Sequence, residues 1–226
     1  MKLYFLILST FVFLPITNAQ VNPVIKKDTT VSIGVVQAVN VSYRFSTSAP
    51  DLTWMKESLD SIETPLLGNS TSVIVNIGLN KRLQLNTGVT HSKIGFQYKE
   101  GSLVGIKTYK ETYNLIEIPL QLVYKLSTKK SYPFISLGAS PGYMYSREAK
   151  YVLTDKVEAS SMKLSSDISK FQVSAAISFG VSIILTNSWS FKSELFYNQY
   201  LLSPSSGLVK KYLFSTGISV GLFKSF

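Results

Sequence analysis

The chain has 226 residues, no cysteine, a net charge of +10 and only 16% charged residues. That charged fraction lies well below the roughly 25% of soluble domains, and an abundance of Ser, Tyr, Phe, Val and Ile favours strands over disorder. Without cysteine there is no disulfide and no lipid anchor on a cysteine, and the basic residues do not form a nucleic-acid face: Lys81 and Arg82, Lys129 and Lys130, and Lys210 and Lys211 are separate pairs at proposed strand ends, suited to anionic lipid head groups or water.

The opening MKLYFLILSTFVFLPITNAQ carries one early lysine, an apolar run from Leu3 to Leu14, and small residues at Thr17 and Ala19 ahead of Gln20. This pattern predicts a cleaved secretory signal over 1–19, because the apolar run is shorter than the roughly 20 residues of a spanning helix. A periplasmic segment follows over 20–30, and 31–226 is the remaining domain.

Alternation, not helical spacing, dominates that domain. In FQVSAAISFGVSIIL, Phe171, Val173, Ile177, Phe179, Val181 and Ile183 fall on one face, and Gln172, Ser174, Ser178, Gly180 and Ser182 on the other. Eight such segments are predicted, at 31–46, 71–80, 83–98, 109–126, 132–147, 169–185, 189–201 and 211–226. Each supplies the roughly 9–11 tilted residues of a membrane-spanning strand. The links alternate between long (47–70, 99–108, 148–168, 202–210) and short (81–82, 127–130, 186–188). This is the plan of an all-β, eight-stranded antiparallel up-and-down transmembrane β-barrel in the outer membrane, with short periplasmic turns, longer outer loops and both termini in the periplasm.

A soluble barrel would show water a face rich in Lys, Glu and Asp. Here the polar face is Ser, Gly, Ala, Asn and Gln, which suits the narrow lumen of eight strands, and the bulky face suits lipid. Tyr43 and Phe45, Phe96 and Tyr98, Tyr143 and Tyr145, and Trp189 and Phe191 resemble interfacial girdles. In LQLNTGVTHSKIGFQYK the apolar set moves from Leu83, Leu85 and Val89 to Ile94, Phe96 and Tyr98; a bulge near His91 to Lys93, or an unpaired register, would account for the shift.

Charges in mid-strand are few, and lipid makes inward placement the cheaper one. Arg44, Glu117, Lys192 and Glu194 are therefore expected on the lumen face as a structural network of paired ions, with a gate, ligand contact or partner-responsive switch as the sharper reading. Pro119 lacks the amide donor of a central strand and predicts a bulge or local break. His91 is the sole histidine. Its neighbour Ser92 falls on the opposite strand face, which disfavours a hydrolytic pair, and no acid is identified for it. One histidine and no cysteine leave no metal set, and GLNKRL and GVSI lack the glycine and lysine spacing of a phosphate loop. No catalytic residue, cofactor or metal is expected. In the loop at 47–69, Trp54, Met55, Leu59 and Ile62 recur at helical spacing, as a segment that packs over the barrel mouth or holds a partner.

The stretches GLNKRLQLNTGVTHSKIGFQYKEG, YNLIEIPLQLVYKL and YPFISLGASPGYMYS together resemble the eight-stranded outer-membrane β-barrel proteins of Bacteroidetes, a group that includes PorT-like proteins associated with type IX secretion. The matching residues are Ile116, Glu117, Ile118, Pro119 and Leu120, then Tyr132, Pro133, Phe134, Gly138, Pro141 and Gly142, with isoleucine in place of the usual leucine at 116. The resemblance implies an integral outer-membrane protein with a packed lumen, acting as a non-enzymatic accessory or scaffold. Its implied partners are outer-membrane lipid and lipopolysaccharide, the barrel-insertion machinery and secretion-system proteins. It also implies that the terminal Phe226 is the assembly signal. A lipid or lipopolysaccharide hydrolase using His91, or a small-solute channel, are the alternatives.

Overall fold

The computed structural model describes residues 30–47, 61–98, 106–153, 159–163, 169–204 and 210–226. The expected signal at 1–19 and Trp54, Met55 and Leu59 lie outside these residues, and Ile62 is in helical conformation directly before the second strand. The strands are β1 (Val31–Thr47), β2 (Glu63–Gly78), β3 (Leu83–Tyr98), β4 (Ile106–Glu117), β5 (Leu120–Lys125), β6 (Ser131–Leu153), β7 (Ala159–Lys163), β8 (Phe171–Ile184), β9 (Trp189–Tyr200) and β10 (Lys210–Ser225). β4 and β5 are one stave interrupted at Ile118 and Pro119, and β7 is a short arm paired to β6. Eight staves therefore carry the ring, each antiparallel to its neighbours.

Closure is visible in the register. Starting at Val41 and crossing one stave at a time, the partners are Thr216, Tyr197, Ile177, Leu137, Leu122, Leu85, Ile77 and then Val31, ten residues down the strand of origin. A sheet that returns to its first strand with such a stagger is a barrel with staves tilted at about 40°. Apart from Thr216, this circuit of outward residues is aliphatic or tyrosyl.

The exterior inverts the usual burial rule. Val35, Leu137, Phe179 and Leu222 are exposed, whereas Ser136, Ser174, Ser182 and Ser215 are buried in the lumen. Apolar side chains cost nothing against hydrocarbon, and small polar ones fit a bore only wide enough for side chains. The short turns are closed by their own side chains: Asn80 Oδ1 accepts the amides of Arg82 and Leu83, and Thr186 Oγ1 accepts those of Ser188 and Trp189.

The structure corrects the sequence reading at three places. β2 begins at Glu63, not at 71. Its upper half hid its alternation because a bulge lies between Pro65 and Asn69, where three residues of β2 face two of β3. The irregularity expected at His91 to Lys93 is thus on the partner strand. β3 itself keeps one face throughout, so Ile94, Phe96 and Tyr98 turn into the lumen, and Phe96 and Tyr98 are not girdle residues. The second bulge, between Asn114 and Leu115 of β4, places an extra residue at Tyr145 of β6. Tyr143 and Tyr145 both remain exposed while Arg147 beyond them turns to the interior. At Pro119 the ladder breaks without a bulge. The pairings of Glu117 and Leu120 stay in step on both sides, and Ile118 donates to Pro141 O at 2.9 Å.

Candidate functional site

The lumen is the place where polar and charged side chains converge, and it is layered. At the long-loop end Ile94, Phe96, Tyr113, Leu115, Met144, Tyr200 and Leu213 form a buried apolar cluster. Two ion pairs are set into it. Arg44 Nε donates to Glu63 Oε2 at 2.7 Å, Nη2 also meets Glu63 Oε1, and Nη2 reaches Tyr98 OH at 3.3 Å. The Arg44 guanidinium lies 3.4 Å over the Phe96 ring. Arg147 Nε donates to Glu111 Oε1 at 2.5 Å, and the Tyr109 and Tyr113 hydroxyls donate to the same carboxylate.

Below this layer, Glu117 accepts from Ser92 Oγ at 2.6 Å, Tyr200 OH at 3.2 Å and Ser174 Oγ at 3.4 Å. Glu194 accepts from Ser178 Oγ at 2.8 Å and Ser219 Oγ at 3.0 Å. Lys192 Nζ sits between aromatic faces, 4.6 Å from the Phe223 centroid and 5.8 Å from that of Phe134. A cavity of about 110 Å³ lies among these groups, lined by Ser92, Glu117, Gln121, Lys192, Glu194 and Asn198. It has room for a few waters.

All four expected charges, Arg44, Glu117, Lys192 and Glu194, face the interior, but they do not share one network. Arg44 pairs with Glu63, the two glutamates are held by hydroxyls, and Lys192 is held by rings. Lys192 and Glu194 are inward neighbours on β9, yet Lys192 lies against the Phe223 and Phe134 rings and Glu194 is held by cross-strand serines. Glu63, Glu111 and Arg147 were not singled out from the sequence. Glu111 shares its inward parity with Tyr113, Leu115 and Glu117 and was legible, whereas Glu63 and Arg147 face inward only because of the two bulges.

His91 lies on the lipid face, its ring nitrogen 2.8 Å from Tyr145 OH. Ser92 points the other way, to Glu117. The two do not assemble into a nucleophile and base. Among the described residues no group of three or more His, Cys, Asp or Glu is placed to hold a metal, and no helix is long and apolar enough to cross a membrane, which says nothing of strands. Phe226 is exposed, and its amide donates to Val31 O at 3.0 Å, across the closing seam of the ring.

A closed ring of eight staves, apolar outside and filled with hydroxyls, ion pairs and aromatic rings inside, defines an integral membrane β-barrel with a packed lumen. The chain belongs to the family described as Outer membrane protein beta-barrel domain, whose profile matches residues 18–200. That family lives in the outer membrane, and so does this protein. Comparison with curated proteins gives no match. Among solved structures the chain is similar to the Neisserial surface protein A, with 17% identity, 87% of this chain and 97% of that one covered, and a TM-score of 0.50. It is also similar to OprG from Pseudomonas aeruginosa, with 10% identity, 88% and 97% covered and a TM-score of 0.47. A third is Ail, the attachment invasion locus protein of Yersinia pestis, with 11% identity, 88% and 100% covered and a TM-score of 0.40. At 17% identity the likeness to the Neisserial protein is one of fold.

Proposed function

We propose that the protein is a non-enzymatic accessory or scaffold of the outer membrane, which offers its outer loops and periplasmic turns to partner proteins. The observation that carries this reading is the plug in the lumen. The Arg44–Glu63 and Arg147–Glu111 pairs and the cluster around Phe96 fill the long-loop end, and Lys192 between Phe134 and Phe223 narrows the bore below the cavity. A bore filled this way favours surface interactions over solute passage. Purified protein in a planar bilayer is expected to give no discrete conductance steps; reproducible steps would replace the scaffold with a channel.

The finer reading is a PorT-like part beside type IX secretion machinery. It is supported by the likeness of the stretches from Ile116 to Leu120 and from Tyr132 to Gly142 to those of Bacteroidetes barrels. Export through a cleaved segment at 1–19 and insertion guided by Phe226 belong to the same reading. Affinity purification from native outer membranes is expected to bring down secretion components in stable amounts. Recovery of the barrel without them would remove the secretion link and leave the scaffold.

A further inference from the structure

The lipid-facing column of β1 reads Val31, Ile33, Val35, Gln37, Val39 and Val41 before the aromatic pair Tyr43 and Phe45. Gln37 is thus an amide in the middle of an apolar band. Its register partners are Val220 on β10 and Thr71 on β2. Thr71 Oγ1 donates to Gln37 Oε1 at 2.7 Å, with both groups on the outer surface. The two N–H donors of Gln37 Nε2 have no acceptor among the described residues: Val35, Val39, Val73 and Val220 are its apolar neighbours, and the exposed Asn69, opposite Val39 on β2, is not bonded to it. The next polar group along the same row, His91, already meets Tyr145 OH through Nε2. An unmet amide against hydrocarbon is costly, and a second protein surface is the usual remedy.

We propose that Gln37 is the centre of a homodimer contact within the bilayer. Two copies inserted in the same direction are related by a twofold axis along the membrane normal, and such an axis brings a surface residue opposite itself. Glutamine is self-complementary in that arrangement. Each Nε2 donates to the partner copy's Oε1, which still has a lone pair because Thr71 uses only one. The valines around Gln37 are short and β-branched, so the two walls approach closely there. This inference does not depend on the scaffold reading.

The absence of cysteine makes the test clean, because one introduced thiol reports one contact. In lipid vesicles treated with copper-phenanthroline, Gln37→Cys is expected to form a disulfide-linked dimer, two thiols losing two protons and two electrons to the oxidant. Leu137→Cys, 65% exposed on the β6 wall, is expected to stay monomeric. In sedimentation equilibrium of detergent-solubilised protein, Gln37→Leu is expected to associate about tenfold more weakly than the unsubstituted chain. Leucine suits a lipid-facing site, and heat-modifiable migration on a gel confirms that the variant is folded. The proposal is overturned if Gln37→Cys cross-links no better than Leu137→Cys, or if Gln37→Leu dimerises as well as the unsubstituted chain. It is equally overturned if the unsubstituted chain is monomeric at every concentration, or if a photo-cross-linker at position 37 captures lipopolysaccharide or a different protein in place of a second copy.

Discussion

Glu63→Ala is expected to lower the free energy of unfolding by about 3–5 kcal/mol, read as a fall in the urea midpoint of the folded, heat-modifiable form at unchanged slope. The Arg44 and Glu63 side chains are 2% and 0% exposed. Without the carboxylate, the guanidinium keeps, among the described residues, only Tyr98 OH and the Phe96 face, and neither neutralises a charge shut inside the lumen. The double replacement Arg44→Met with Glu63→Leu is expected to recover most of the loss, because the desolvation penalty leaves with both charges. A Glu63→Ala variant that unfolds like the unsubstituted protein would mean that water reaches Arg44 and that the plug is open.

Phe96→Ala is expected to cost a similar amount, about 3–5 kcal/mol, whereas Val89→Ala on the same strand is expected to cost little. Phe96 is fully enclosed, in contact with the cluster that includes Ile94, Tyr113, Leu115 and Leu213, and truncation leaves a cavity that its neighbours only partly refill. Val89 faces outward and is 53% exposed, so lipid chains fill the space its methyl groups vacate. Equal and small losses at both positions would place Phe96 in the lipid-facing girdle that the sequence alone suggested. The contrast between the two variants therefore measures the face of β3 directly.

The staves were legible because a strand bathed in lipid on one side and packed on the other writes its environment at every second residue. Phe179 against Ser178 and Leu222 against Gly221 are such records, and they need no knowledge of the neighbouring strand. The alternation of short and long links was equally local. The candidate site was legible only in part. Arg44, Glu117, Lys192 and Glu194 were recognisable as inward charges by parity, but their partners were not, since Ser92, Ser174 and Tyr200 reach Glu117 from three different staves.

By itself, then, the sequence determined the class: eight alternating staves, an apolar outside, a small polar inside, and a set of charges too costly to leave in lipid. Tertiary structure decided which charges meet and where the lumen is closed. Two of its bulges are the physical reason. A single extra residue reverses the parity of everything beyond it, so the bulge before Asn69 turns Glu63 toward Arg44, and the one at Tyr145 turns Arg147 toward Glu111. Whether a residue is extra depends on the strand beside it, and that information lies in the pairing of the two strands, not in either one.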